Sequence, residues 1–188
     1  NGKFTLKALP IITQFAPVNG IQINDINNDG NLDMIMVGND FGNEIISGRY
    51  DALNGVALLG DGKGEFKSIA STQSGFVVPG DAKALARLSG IVHDIYIATQ
   101  NIDSLRVFVS NMKADPERKI FKPLSFDSWS ELVYKSGLVE KVEYYYGAGY
   151  LSQSSRAITI PDKVEKLIIH GFDGKTRIMN LNSLKVAL

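Results

Sequence analysis

The sequence predicts an all-β fold: short strands joined by tight turns, ending in a small antiparallel β-sandwich or barrel domain. Three observations carry this. Apolar residues recur with period two in short runs; Gly, Asn, Asp and Pro break those runs at turn-sized intervals; and no stretch sustains the 3.6 period of a long amphipathic helix. With 188 residues, 44% of them hydrophobic, the chain has material for one full domain or two small ones. A polar interruption described below favours two.

Taken in order, Ile21-Gln22-Ile23 and Met34-Ile35-Met36-Val37 read as strands flanking a polar loop. Gly55 to Leu59, Ile95 to Ala98 and Leu105 to Val109 are the next clear strands. Gly60-Asp61-Gly62-Lys63-Gly64-Glu65-Phe66 sits between two of them. Its glycines supply the positive φ angles of a hairpin. Without a Gly-Lys-Ser/Thr ending and a following helix, it is not read as a phosphate loop.

An internal echo accompanies these strands. Gly2-Lys3-Phe4 matches Gly64-Glu65-Phe66, and Asp33 to Val37 matches Asp94 to Ala98, at a spacing of about sixty residues that suits one propeller blade. In this alignment Ala86, Leu88 and Gly90 stand where the first copy has Asp25, Asn27 and Asp29, so one metal site is expected rather than two. After Asn111 the chain turns polar through Met112 to Lys119, which places a domain boundary between residues 1–111 and 112–188. Beyond it, Leu132 to Tyr134, Val139 to Tyr146, Ala157 to Ile160, Val164 to His170 and Thr176 to Leu181 read as strands, with turns at Lys135-Ser136-Gly137 and Phe172 to Lys175. Alternation puts Val142, Tyr144 and Tyr146 on one face of their strand and Lys141, Glu143 and Tyr145 on the other.

Composition removes several classes of function. Twenty basic and twenty acidic residues give a formal charge of zero, so no nucleic-acid partner is expected. There is no cysteine, which excludes disulfides, thiolate zinc sites and a cysteine nucleophile. No apolar run reaches membrane-spanning length. The opening Asn1-Gly2-Lys3-Phe4 lacks a start methionine or signal sequence, so the natural protein is expected to begin upstream.

Asp25-Ile26-Asn27-Asn28-Asp29-Gly30-Asn31-Leu32-Asp33 is the stretch with most chemistry in it. Calcium takes six to eight oxygen ligands at about 2.4 Å. Asp25, Asn27 and Asp29 would offer side-chain oxygens, Asn31 a backbone carbonyl and Asp33 a closing carboxylate, with Gly30 allowing the bend. Crowded carboxylates repel, so without a cation the loop is expected to be strained or mobile. Met36 at the twelfth place and flanking strands rule out an EF-hand. Magnesium suits the flexible donor string less well, and zinc lacks His or Cys partners. The alternative is a polar turn with solvated Asp25 and Asp33.

The residues from Phe15-Ala16-Pro17 through Asn24 to Asp33, the strand after them and Gly38-Asn39 resemble an FG-GAP/VCBS repeat, the blade unit of integrin-like β-propellers. Gly48 to Ala52 followed by Gly60 to Gly64 is similar to later blades of bacterial members. Tyr146-Gly147-Ala148-Gly149-Tyr150-Leu151-Ser152-Gln153 resembles the Gly-x-Gly-Tyr-Leu-Ser-Gln signature of the ASPIC/UnbV domain, which follows such propellers. Ile160-Pro161-Asp162 and His170 to Lys175 depart from that domain's later turns. The resemblance implies an exported protein, extracellular or on the periplasmic or outer-membrane surface, with calcium-stiffened blades. It also implies that this chain is the C-terminal part of something larger, whose open blades need covering at their edges by the second domain or another copy.

No catalytic set emerges, and a non-enzyme is expected. His93 and His170 lie in no zinc-protease or nucleophile-elbow pattern, Ser152, Ser154 and Ser155 read as polar turn residues, and carboxylate pairs such as Asp61 and Asp81 carry no discriminating spacing. The expected role is a calcium-stabilised binding or adhesion module for a protein ligand. The alternative is a glycan-binding module using aromatics of the second domain, with Trp129, Tyr145 and Tyr150 as candidate ligand-binding residues.

Overall fold

The computed structural model describes residues 4–90, 92–111 and 119–181. Within them the protein is all-β: thirteen strands in antiparallel sheets, none closed into a barrel. A 3-10 turn at Ile11–Gln14 and one four-residue helix, Ser71–Ser74, are the helical elements among the described residues.

The first sheet is a meander of β1 (Val18–Asn24), β2 (Asp33–Gly38), β3 (Val56–Gly60) and β4 (Phe66–Ile69). The glycine-rich stretch after β3 is the expected hairpin: Asp61 Oδ1 accepts the Lys63 and Glu65 N–H groups at 2.7 and 3.0 Å, and Gly62 and Gly64 take φ of 71° and 92°. The second sheet has β5 (Ala82–Leu88), β6 (Ile95–Gln100) and β7 (Arg106–Val109). Ile35, Val37 and Ala57 from one face of the first sheet share a core with Ala82, Leu85 and Ala98 of the second. The opposite face of the first sheet buries Met36, Val56 and Leu58 beneath Leu9, Ile12 and Ala16.

The internal repeat is present in the backbone, but not in the alignment expected from sequence. A bulge falls between Val18 and Gly20 opposite Gly38 and Val37, and again between Ala82 and Ala84 opposite Gln100 and Thr99. The Asn39 N–H closes on the Pro17 carbonyl at 2.9 Å, and the Asn101 N–H on the Asp81 carbonyl at 2.8 Å. These equivalences make β5 the counterpart of β1. Ala86 and Leu88, expected to replace metal ligands in a loop, instead pair with Ile97 and Ile95 inside the sheet. The Gly2-Lys3 half of the Phe4 echo lies outside the described residues.

The remaining strands form β10 (Val139–Glu143), β9 (Asp127–Tyr134), β12 (Val164–Gly171) and β13 (Thr176–Asn180) in that spatial order, with β8 (Lys119–Phe121) paired to β11 (Ile158–Ile160). Leu132, Leu167 and Ile169 of the larger sheet share one core with Phe121 and Ile160 of the smaller and with Tyr144. Packing of two open sheets is a two-layer arrangement, so of the sandwich and barrel alternatives the barrel is not formed. Gly174 (φ 77°) closes the expected β12–β13 hairpin. The polar run placed at the domain boundary lies largely in residues 112–118, outside the described residues.

Hydrogen bonds with residues 154–157 join these halves, among them Ser89 Oγ donating to the Ala157 carbonyl at 2.9 Å. Ser154 Oγ accepts the Arg87 N–H at 3.0 Å and a Gln22 amide N–H at 2.9 Å, and the Ser155 N–H donates to the Arg87 carbonyl at 2.7 Å. Residues 154–157 thus cover the edge of β5 with C-terminal chain.

β1 approaches β5 so closely that a Cβ on Gly20 would stand 2.7 Å from Leu85 Cβ. Gly20→Val is expected to cost about 2–3 kcal/mol through overpacking of this seam, measured by denaturant unfolding, whereas Gly64→Ala, with open space around its Cβ, is expected to cost only the strain of its positive φ, about 1 kcal/mol.

Candidate functional site

The acidic stretch is the β1–β2 connection, turning through positive φ at Asn28 (62°) and Gly30 (88°). Asp25 organises it: Oδ1 accepts the Asn28 and Asp29 N–H groups at 2.7 and 3.3 Å, and Oδ2 accepts the Gly30 N–H at 2.9 Å. Asn27 Oδ1 accepts the Asp29 N–H at 2.9 Å, Asp29 Oδ1 accepts the Asn31 N–H at 2.8 Å, and the Asn27 amide donates to Asp29 Oδ2 at 3.0 Å. The Asn31 N–H, then the Asn27 amide, hold the exposed Asp29 carboxyl below its usual range. Backbone N–H groups thus lie against these carboxylates and offset part of the repulsion expected among them.

Asp33 is set apart from this turn. It is fully buried, with Oδ2 accepting the Ile26 N–H and Oδ1 the Gly60 N–H, both at 2.9 Å. One carboxylate thus ties the start of the loop to the end of β3. Asn31 lies against the same hairpin, for a Cβ on Gly62 would stand 2.3 Å from Asn31 Oδ1. The five expected donors consequently divide. Asp25, Asn27 and Asp29 retain acceptor capacity on the exposed turn, since each oxygen has two lone pairs, while Asp33 serves the sheet. Among the described residues, no three His, Cys, Asp or Glu side chains are grouped so as to hold a metal ion. Were a calcium ion to bind this turn, Asp25, Asn27 and Asp29 are the side chains whose oxygens would hold it.

Asp94, the sequence echo of Asp33, also sits buried before a strand. Its carboxylate accepts the Gly90 N–H at 3.3 Å and faces Arg87 Nε at 3.4 Å and the Asn24 amide at 3.4 Å. Arg87 further donates to Asn24 Oδ1 at 2.8 Å and Ser89 Oγ at 3.0 Å. This makes Arg87 the joint between both sheets and the 154–157 segment, a role invisible in a sequence that offers it no patterned partner.

The second motif, Tyr146 to Arg156, is a shaped loop held from beneath. The Gln153 carboxamide accepts the Gly147 N–H and donates to the Tyr145 carbonyl at 3.3 Å and the Ser154 carbonyl at 2.7 Å. Arg156 donates to the carbonyls of Leu124, Tyr144 and Asp127, and its guanidinium lies 4.0 Å from the Tyr146 ring centroid. Asp127, itself buried, pairs with Arg177 through both oxygens. Burial pushes the Asp127 carboxyl up, but the Arg177 bonds and the Leu124 N–H outweigh it and leave it below the usual range.

The candidate aromatics do not form one platform. Trp129 has His170 stacked on it, with centroids 3.7 Å apart at 8°, and Lys141 Nζ at 5.0 Å. His170 lies near the end of β12, with Nε2 3.3 Å from Glu131 and Nδ1 3.2 Å from Thr176 Oγ1. Tyr144 points inward, 2.5 Å from Ser130 Oγ, and burial pushes its phenol up to about 12. Tyr145 and Tyr150 are exposed. Tyr146 does not follow Tyr144 into the core as strand alternation requires: β10 ends at Glu143, and Gly147 at φ 67° turns the chain away.

The chain matches no protein-family model and no curated protein. Among the described residues, no helix is long and apolar enough to cross a membrane. Asp81, one of the carboxylates weighed above, is buried against Lys83 Nζ at 2.6 Å, while Asp61 caps its hairpin.

Removing Asp33 strands two N–H groups that a buried charged acceptor now satisfies. Asp33→Ala is expected to lower stability by about 2–4 kcal/mol, read as a lower denaturant midpoint that added calcium does not restore.

Proposed function

We propose that this chain is a non-catalytic recognition module of the cell envelope, built of FG-GAP/VCBS-type propeller blades and an ASPIC/UnbV-like β-domain, and stiffened by Ca2+ at the Asp25–Asn31 turn. The observation that carries the reading is the division of labour at that turn: Asp25, Asn27 and Asp29 hold oxygens at the surface while Asp33 bolts its base to β3. Bound calcium supplies a compact centre of positive charge to exposed oxygens. Asp25, Asn27 and Asp29 would hold it, and Asp33 and Asn31 transmit the order of the turn to the β3–β4 hairpin.

The loops of the second domain offer the matching recognition surface. Tyr145, Tyr150, Leu151, Phe126 and Phe172 are exposed, and Arg156 and Gln153 fix the backbone beneath Tyr145 and Tyr146. Preorganised aromatic side chains on a braced loop lose little entropy when a partner binds. A protein ligand at the cell surface is the partner this arrangement suits. The glycan reading keeps Tyr145 and Tyr150 as stacking faces, but Trp129 is already stacked by His170, so it is the weaker of the two. Binding to a polysaccharide panel that Tyr145→Ala abolishes would reverse this order.

Calcium binding to the native state alone stabilises by mass action. Millimolar calcium is expected to raise the melting temperature of the protein, and Asp29→Ala to remove most of that rise. Asp94→Ala is expected to lower the melting temperature equally with and without calcium, because its carboxylate serves Arg87 and Gly90. An unchanged melting temperature across the calcium titration removes the metal from this reading.

A further inference from the structure

We infer that Asn54-Gly55 is a self-modifying site: in the folded protein its main chain closes to a succinimide, and the isoaspartyl product loosens the core between the two N-terminal sheets.

The sequence has three Asn-Gly pairs, Asn1-Gly2, Asn19-Gly20 and Asn54-Gly55. The first lies outside the described residues, and the other two are placed very differently. Asn19 is held in β1 with its amide donating to the Asn39 and Ala82 carbonyls at 3.1 and 2.8 Å, and Gly20 is buried against Leu85. A carboxamide pinned in this way is not free to swing onto the next main-chain nitrogen. Asn54, just before β3, is exposed, and among the described residues its carboxamide has no hydrogen-bond partner. The Gly55 N–H likewise donates to no acceptor among them, and no side chain at Gly55 shields the nitrogen. The Asn54 carbonyl oxygen accepts the Val78 N–H at 2.9 Å.

These features suit one reaction. Loss of the Gly55 amide proton to hydroxide puts negative charge on that nitrogen and, by resonance, on the Asn54 carbonyl oxygen, where the Val78 N–H stabilises it. The nitrogen then attacks Asn54 Cγ. The Cγ–Nδ2 bond breaks, and the amide takes a proton from water and leaves as ammonia, which closes a cyclic imide and regenerates the hydroxide. Water opens the imide at either carbonyl. Opening at Cγ leaves an aspartyl residue; opening at the α-carbonyl leaves an isoaspartyl one, whose main chain runs through Cβ and Cγ and so gains an atom. Asp61-Gly62 and Asp173-Gly174 are poorer sites, because hydroxide is the leaving group and their carboxylates already accept the N–H groups of Lys63, Glu65 and Lys175.

The added atom has no room. On one side Leu53 is buried, with its N–H and its carbonyl both bonded to the Asn39 side chain at 2.9 and 2.7 Å. On the other side Val56 is buried, and Gly55 itself lies so near the Phe76 ring and the Val78 nitrogen that a Cβ would stand 3.2 Å from both. Phe76 and Val78 belong to the core that joins the two sheets, so displacing Gly55 acts on that core directly.

The test ages the full chain in warm, mildly alkaline buffer, with and without denaturant, and follows it by peptide mass mapping and by methyl transfer from an isoaspartyl methyltransferase. In the folded protein Asn54 is expected to convert about tenfold or more faster than Asn19; in denaturant the two are expected to convert at similar rates. The isoaspartyl fraction, separated by ion exchange, is expected to melt several degrees below the unaged protein. Asn54→Asp adds the charge without the main-chain atom and is expected to melt with the wild type. An Asn54 that converts in denaturant but stays intact in the folded chain overturns the proposal, as does an Asn19 that keeps pace with it there. An isoaspartyl fraction that melts at the unaged temperature overturns the effect on the core.

Discussion

A buried carboxylate that accepts backbone N–H groups from two different segments is the constraint on which the N-terminal half depends. Asp33 has no solvent to stabilise its charge, so its position is defined by the Ile26 and Gly60 N–H groups that replace water. Those bonds fix where the β1–β2 loop leaves the sheet and where the β3 hairpin begins. Everything above them can then be polar and exposed without losing its shape. The same device recurs with Asp94 before β6, where Gly90 and Arg87 supply the partners, and with Asp127 at the head of β9, where the Leu124 N–H and Arg177 do. Each of these carboxylates stands at the beginning of a strand and gathers a preceding loop around itself.

This explains why the turn from Asp25 to Asn31 is legible as a metal loop and is also a self-satisfied turn. The two are successive layers of one arrangement. The inner layer uses Asp33 and backbone donors and is complete in the protein alone. The outer layer uses Asp25, Asn27 and Asp29, whose oxygens already order the backbone yet keep lone pairs at the surface. On the function proposed above, a cation would add to such a turn by offsetting the repulsion between Asp25 and Asp29, and its effect would reach the sheet through Asn31 beside Gly62 and through Asp33.

Much of the fold is legible because it rests on local signals. β2, β6, β7 and β12 announce themselves through β-branched residues, β3 through a short continuous apolar run, and the hairpins at Gly62, Gly137 and Gly174 through glycines that take positive φ. β5 is not legible, since Ala82-Lys83-Ala84-Leu85-Ala86-Arg87 is rich in helix formers and a bulge breaks its period; pairing with β6 overrides that propensity. The role of Asp33 is hidden for another reason. Its partners are backbone N–H groups seven and twenty-seven residues away, and sequence carries no mark of a backbone donor. Tyr146 was open to misplacement because alternation holds only while the strand lasts. The joint made by Arg87, Ser154 and Gln22 is purely tertiary, joining residues as much as 132 positions apart.

The layered account of the acidic loop is tested most directly by residue-resolved amide hydrogen exchange with and without calcium. Slow exchange at Ile26 and Gly60 in chelator, unchanged by the ion, together with slowing at Asn28, Asp29 and Gly30 only when calcium is added, is the result it predicts. Exchange at Ile26 and Gly60 as fast as at the exposed turn, or protected only once calcium is present, would contradict it.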